Sequence, residues 1–197
     1  MRPRRFLLKR FPGEGNPAGL TIGGSIERRA DTLSVRCEVR GNLSKVLIPA
    51  ASDAPRRKDR LWEETCLELF LGTDDSREYW ELNLSPSGHW NVYRFTSYRK
   101  GMLEEPAVAS LPFEVRRDPE ALLLAAEIGV GRIVPEGKDV AATVAAVIRT
   151  TDGGESHWAP VHPASRPDFH RRDGFALTLP ATAPLGRSCG SSRKRRR

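Results

Sequence analysis

The stretch Thr32-Leu33-Ser34-Val35-Arg36-Cys37-Glu38-Val39-Arg40 alternates apolar and polar side chains without a break and stops at Gly41-Asn42. Successive side chains of an extended chain point to opposite faces, so Leu33, Val35, Cys37 and Val39 share one side and Ser34, Arg36 and Glu38 the other. This is the signature of a half-buried strand. The same period of two recurs outward in both directions, over 5–11, 20–27, 45–48, 66–71, 78–84, 89–96, 111–117, 121–129, 140–150, 155–159 and 174–179, with turn signals between. The run Ala121–Ile128 is helix-like in composition. Asp118-Pro119-Glu120 before it and Gly129-Val130-Gly131 after it leave only a strand-sized piece. In the alanine-rich run Val140–Ile148, the β-branched Val140, Thr143, Val144, Val147 and Ile148 favour a buried strand. Ile133-Val134-Pro135-Glu136-Gly137 between them reads as a short turn. Many short strands with frequent turns predict one all-β domain over about residues 4–180, two antiparallel sheets packed as a jelly-roll-like β-sandwich.

The 197 residues are 39% hydrophobic and 29% charged, with a mean hydropathy of −0.47, enough for a core that needs no disulfide or metal staple. No apolar run approaches the roughly 18 residues of a membrane span, and Phe6-Leu7-Leu8 is too short for the apolar part of a secretion signal, which sets the cytoplasm as the expected location. Three cysteines with no C-x-x-C pair suit a reducing compartment. Cys37 and Cys66 fall in apolar alternation as small hydrophobes. Cys189 lies in a polar tail.

The net charge of +7 is carried by the ends. Residues 1–10 hold five basic side chains and 187–197 hold six, with no acid in either, and the remainder has 21 basic against 25 acidic residues. The folded part is therefore mildly acidic. Residues 181–197 read as a disordered basic tail able to make weak, nonspecific contact with polyanions through counterion release, without the interleaved aromatics that would give specificity. The chain lacks G-x-x-x-x-G-K-[ST], G-x-G-x-x-G and G-x-S-x-G, which removes the usual support for nucleotide binding or serine hydrolysis.

The chemically informative part is 61–95. In Cys66-Leu67-Glu68-Leu69-Phe70-Leu71 the leucines form a core face, which leaves Glu68 and Phe70 on the other. In Tyr79-Trp80-Glu81-Leu82-Asn83-Leu84, Glu81 and Asn83 share the face opposite Trp80, Leu82 and Leu84. Ser85-Pro86-Ser87-Gly88 then predicts a tight turn into an antiparallel partner, 89–96. Periodicity alone makes Glu68, Glu81 and Asn83 the solvated side of an ordinary sheet. A second reading makes them a ligand face beside Trp62 and Tyr79, suited to a polyhydroxylated molecule because carboxylates accept hydroxyl protons and an aromatic ring covers the C–H face of a sugar. A third makes the two glutamates an acid and base for glycoside hydrolysis.

The segment His157–His170 contains three of the four histidines, Asp168 and three prolines. It lacks the H-E-x-x-H spacing, and its prolines imply a fixed loop instead of a metal-bearing helix, so no metal is assigned. The expectation is that this loop closes one edge of the ligand face, with Asp168 and His170 turned toward Glu68 and Glu81 and His170 protonated by acidic neighbours. A loop braced by Asp168 without ligand contact is the alternative.

Residues Arg57–Phe70, Tyr79–Trp90, Tyr98-Arg99-Lys100-Gly101-Met102 and the Pro163–His170 segment ending in P-D-F-H resemble bacterial DOMON-like proteins, relatives of the family-nine carbohydrate-binding modules. The resemblance covers 57–102 and 157–179 most strongly and implies a β-sandwich that binds sugar or haem; the function expected is non-catalytic binding of a carbohydrate or similar polar small molecule. It implies sugar stacking by Trp62 and hydrogen bonding by Glu68 six residues on, with Asn83 on the next strand. Two features depart from the family pattern: Glu81 stands where the sugar-binding relatives have arginine, and Trp158 is the nearest candidate for their second stacking tryptophan. The site expected on both grounds is Trp62, Glu68, Glu81, Asn83, Asp168 and His170, with no cofactor. Haem is the alternative, with Met102, His162 and His170 as possible axial donors and no C-x-x-C-H attachment sequence.

Overall fold

The computed structural model describes residues 2–134 and 137–181. Residues 182–197, which hold most of the expected basic tail and Cys189, and Pro135-Glu136 of the expected turn lie outside them. Among the described residues are twelve strands: β1 (Arg4–Arg10), β2 (Thr21–Arg29), β3 (Thr32–Arg40), β4 (Cys66–Gly72), β5 (Tyr79–Leu84), β6 (Trp90–Phe95), β7 (Leu103–Glu104), β8 (Phe113–Arg117), β9 (Ala121–Gly129), β10 (Val140–Arg149), β11 (Glu155–Ala159) and β12 (Leu177–Leu179). Three single turns of 3₁₀ helix are the only helical pieces there.

The strands pair antiparallel in the order β7-β6-β5-β4-β10-β11-β1-β2-β3-β9-β8, with β12 beside the first half of β10. The sheet curls into two layers at β1. Arg4–Leu8 pair with β2, whereas Lys9 and Arg10 pair with Ala159 and Trp158 of β11. A strand shared in this way lets the layers meet without a free edge at the corner. Arg5 and Lys9, with Leu7, lie on the outward side of this paired strand, and Arg4 and Arg10 are its ends.

Alternation builds the core. Leu67, Leu69 and Leu71 of β4, Trp80, Leu82 and Leu84 of β5 and Val140, Val144 and Ile148 of β10 face Ile22, Ile26, Val35, Cys37, Leu122 and Leu124 of the other layer, all buried. Each large aliphatic side chain fully buried there stabilises the fold by about 1.5–3 kcal/mol. The Ser85–Gly88 turn closes as expected, with the Gly88 N–H donating to the Ser85 carbonyl at 2.9 Å, and it fixes the register Asn83↔Asn91 and Glu81↔Tyr93.

Two expected strands change. At 45–48, Asn42 caps a 3₁₀ turn over Leu43–Lys45, its side chain accepting from the Ser44 N–H at 3.2 Å, so only Val46 bridges, to Thr150. At 174–179, the turn Arg172–Gly174 takes the first residues and leaves Leu177–Leu179 to pair. The two-residue β7 carries no alternation from which to be read.

The outer face of the second layer, β7-β6-β5-β4-β10-β11 with β12, is not solvated. Phe70, Tyr79, Tyr93, Phe95, Ala145, Ala159 and Phe175 form a second buried cluster there, flanked by Trp62 and Phe169. The reading of Glu68, Glu81 and Asn83 as the water side of a sheet fails for this reason: residues 160–176 and the turn Leu61–Glu63 cover that face.

Candidate functional site

The register of β4, β5, β6 and β10 sets two rows of side chains across the covered face. One runs Asn91, Asn83, Glu68, Ala145; the next runs Tyr93, Glu81, Phe70, Thr143. Glu68 and Glu81 are each 4% exposed and Asn83 is fully buried. Above them is an open pocket of about 520 Å³, whose lining includes Trp62, Glu68, Glu81, Arg99, Asp168, Phe169 and His170. The structure therefore brings together five of the six expected residues.

Asn83 is the sixth and stands beside Glu68 in the same row, outside the pocket lining. Its side-chain amide donates to Glu81 Oε1 at 2.8 Å, and its carbonyl oxygen faces the Cys66 thiol at 3.8 Å. It orients Glu81 and does not line the pocket. Glu68 is different, because no described residue hydrogen-bonds its carboxyl although the side chain is buried at the pocket floor. Burial raises the Glu68 pKa well above the usual carboxylate range, and the Glu81 charge adds to this. Burial also raises Glu81, to about 7, against the Asn83 hydrogen bond and the charge of Arg99.

The loop after β11 places Asp168 and His170. The Arg99 guanidinium donates to Asp168 Oδ1 at 2.9 Å, the Tyr98 hydroxyl donates to Oδ2, and the His170 N–H donates to Oδ1 at 3.2 Å. Burial works to raise the Asp168 pKa, and the bonds from Tyr98 and Arg99 outweigh it and hold the carboxylate ionised. The His170 ring packs edge-on against Phe70, Tyr79 and Phe95. Its Nδ1 is 2.8 Å from the Tyr79 hydroxyl, which itself receives the Arg99 N–H at 3.1 Å and is placed to donate to the imidazole. Nε2 then faces Glu81 Oε2 at 3.8 Å.

His170 thus lies over the Glu68 and Glu81 face as expected, but its expected protonation is corrected. Burial and the nearby Arg99 lower its pKa to about 4 against the pull of Asp168. The ring is neutral, and the protons of this cluster reside on the buried carboxyls. Both groups lose their charge for the same reason, desolvation.

Two rims of the pocket depend on residues with left-handed backbone. Arg60 (φ 61°) turns the chain into Leu61–Glu63, which carries Trp62, and Arg99 (φ 53°) turns it after β6. Each costs about 1 kcal/mol in a non-glycine residue. The approach to Trp62 is held by Arg57, whose guanidinium donates to Asn91 Oδ1 at 2.7 Å, to the Glu105 carbonyl at 3.1 Å and to the Val108 carbonyl, and lies 4.5 Å over the Trp90 ring. The charged 57–60 run is therefore scaffold for the rim. Trp62 meets Tyr93 edge-on, with centroids 5.6 Å apart, and remains partly exposed.

Trp158 is corrected as the second stacking ring. It is buried in the inter-sheet core, with Nε1 on Ser156 Oγ at 2.9 Å. Phe169 is the second aromatic side chain from a loop that lines the pocket. Sequence reasoning missed it, together with Arg99, Arg149, Glu155 and His157. Strand parity could have found the last three, since Val147↔His157 continues the row of Cys66 and Arg149↔Glu155 is the next row on the same face.

Of the possible haem donors, Met102 and His170 line the pocket and His162 does not. His162 Nε2 is bound to the Lys9 carbonyl at 2.7 Å and lies outside the pocket lining, and both nitrogens of His170 are turned to Tyr79 and Glu81. Among the described residues no cluster of three or more His, Cys, Asp or Glu could hold a metal ion.

No protein-family model matches the chain. No curated protein matches it. Among solved structures it is similar to a candidate carbohydrate-binding protein from Bacteroides uniformis, at 18% identity over 91% of this chain and 87% of that one, with a TM-score of 0.63. It is also similar to a family-nine carbohydrate-binding module from Caldicellulosiruptor kristjanssonii in complex with glucose, at 10% identity over 85% and 80% of the two chains, with a TM-score of 0.51. At these identities the likeness is one of fold.

Proposed function

We propose that the pocket over β4, β5 and β10 binds a carbohydrate without transforming it. The observation that carries this reading is Glu68, whose carboxyl no described residue hydrogen-bonds and which lines a pocket flanked by two aromatic rings. A carboxyl presented to a pocket without a protein partner is free to bond a ligand hydroxyl. Trp62 on one wall and Phe169 on another supply flat apolar surfaces for C–H faces, while Asp168, His170 and Arg99 supply fixed polar atoms. The fold shared with a glucose-bound module supports a sugar.

Hydrolysis with Glu68 and Glu81 as acid and base is the competing reading, and release of reducing ends separates the two. Calorimetric titration with glucose, galactose, xylose and their short oligomers tests the reading. Trp62→Ala is expected to weaken binding by about 1 kcal/mol, roughly fivefold. Glu68→Ala is expected to weaken it by about 1–2 kcal/mol, with no reducing ends released by the parent protein. Affinity unchanged in both variants would place the ligand elsewhere. A Soret band in protein expressed in haem-replete medium would favour the haem alternative.

A further inference from the structure

Tyr79 is fully buried, with its ring stacked on Phe95 at a centroid distance of 4.8 Å. Its hydroxyl has two partners among the described residues, the Arg99 backbone N–H at 3.1 Å and His170 Nδ1 at 2.8 Å. The first can only donate, so the phenolic proton has one acceptor left, the imidazole. In the neutral ring this makes Nδ1 the acceptor and puts the imidazole proton on Nε2. Glu81, two residues along β5 on the same face, is fixed from its other side: Oε1 accepts the Asn83 amide at 2.8 Å, which leaves Oε2 toward His170. Nε2 and Oε2 stand 3.8 Å apart, too far for a hydrogen bond between them, and both residues line the pocket. Among the described residues neither atom has another partner.

Each of these two side chains is thus held by a bond to its other polar atom, and the atoms that face each other do not meet. A ligand group seated over the gap, on the pocket side, has to accept from the imidazole Nε2–H. It must also meet Glu81 Oε2, as a donor when the carboxyl is ionised and as an acceptor when it is protonated. A hydroxyl serves both states, because it has one proton and two lone pairs. A ring or glycosidic oxygen lacks the proton, and an ammonium lacks the lone pair. We propose that this gap reads one hydroxyl of the bound sugar, with His170 and Glu81 as the specificity-determining pair and Tyr79 as the positioning residue that sets the imidazole tautomer. This rests on the carbohydrate reading above and names the group by which the site tells one sugar from another.

Two measurements on the full chain test it. In nitrogen NMR spectra of the ligand-free protein, with the imidazole signals assigned through bonds from the backbone, His170 is expected to carry its proton on Nε2. Tyr79→Phe keeps the stacked ring, removes the phenolic proton and is expected to leave the two tautomers mixed. A proton on Nδ1 in the parent protein overturns the inference and leaves the carbohydrate reading intact. The second measurement titrates whichever of glucose, galactose and xylose binds, beside its monodeoxy and monodeoxyfluoro derivatives. At one ring position both replacements are expected to weaken binding about tenfold, since fluorine accepts weakly and donates nothing. Tyr79→Phe is expected to weaken the unmodified sugar about fivefold and that one deoxy sugar by less than about twofold, whereas a general loosening of the pocket weakens every derivative alike. Equal losses across the series overturn the inference even with the tautomer as expected. The parent protein identifies the same position without a variant: the unmodified sugar is expected to shift the His170 Nε2 resonance, and that one deoxy sugar to leave it in place. A shift produced equally by every derivative overturns the inference as well. If none of the three sugars binds, the hydroxyl reading falls together with the carbohydrate reading.

Discussion

On the first layer the outward side chains of β3 are Ser34, Arg36, Glu38 and Arg40, partly or fully in water. On the second, the outward residues of β4 and β5 are Glu68, Phe70, Tyr79, Glu81 and Asn83, all buried. Both are written with the same period of two, and both present charges. The difference lies in the aromatic content of the outward positions. Phe70, Tyr79, Tyr93 and Phe95 give the second layer an apolar outer surface that loops then cover, whereas the first layer offers Arg36, Glu38 and Arg40 and attracts no cover. A polar residue placed among outward aromatics is thus a polar inclusion in a second core. That is the setting in which a carboxyl loses its charge and keeps an unfilled hydrogen-bond capacity.

The comparison breaks most readily at Phe70, which packs against Phe169, His170 and Phe175. Phe70→Ala is expected to cost about 3–5 kcal/mol in denaturant unfolding, as for a phenylalanine in any core. Arg36→Ala, on the outer face of the first layer, is expected to change stability by less than about 0.5 kcal/mol. Similar losses for the two variants would mean that the loop cover contributes no second core.

A smaller effect separates the buried charges of this face by pH. The folded protein keeps the Glu81 proton up to about pH 7, whereas the unfolded chain releases it near 4.5. Between those values the native state holds more protons, so stability present below 4.5 is lost as pH rises, on the order of 3 kcal/mol. Glu68 acts in the same direction. His170 acts oppositely: its pKa falls from 6.5 to about 4 on folding, so its contribution is complete above 6.5 and is lost as pH drops to about 4. Two carboxyls outweigh one imidazole, and the parent protein is expected to lose stability between pH 4.5 and 7. The double variant Glu68→Gln, Glu81→Gln should reverse that slope and gain stability up to pH 6.5. Unfolding free energies at four pH values decide this, and a slope unaffected by the double substitution would show the two carboxyls to be ordinary.

The extent to which these features can be read from sequence follows the same division. Alternation located β1 to β6 and β8 to β11 because each strand has one face in the main core, and parity alone put Glu68 and Glu81 on one side. Asn83 satisfied the same parity, yet its place outside the pocket lining depends on the side-chain bond to Glu81, which spacing does not encode. Trp158 was misplaced for want of a tertiary constraint: parity on β11 sets it beside Ala146 on the core side, but the register with β10 had to be known first. Arg99 and Phe169 come from loops, where side-chain direction has no period. The protonation of His170 was misjudged because counting acidic neighbours omits burial, and burial is the larger effect.

The smallest contrast is between two ion pairs that look alike in outline. Arg40 and Glu38 meet at 2.8 Å on the first layer, with side chains 61% and 38% exposed; Arg99 and Asp168 meet at 2.9 Å over the second, with Asp168 only 8% exposed. Exposed pairs contribute about 0–0.5 kcal/mol because water screens them and two long side chains lose freedom. The Asp168 carboxylate is already fixed by the Tyr98 hydroxyl and the His170 N–H, so Arg99 pairs with a partner that has no rotamer freedom left to lose. Double-mutant cycles are expected to give a coupling of about 1 kcal/mol for Arg99 and Asp168 and near zero for Arg40 and Glu38. Hydrogen exchange gives an independent reading. Asp168→Asn should speed exchange of the His170 amide, whose acceptor it weakens, while Glu38→Gln should leave the β3 amides, bonded along the ladder to β2 and β9, as protected as before. Equal coupling energies in the two cycles would mean that the loop over the second layer is no better fixed than a solvated surface.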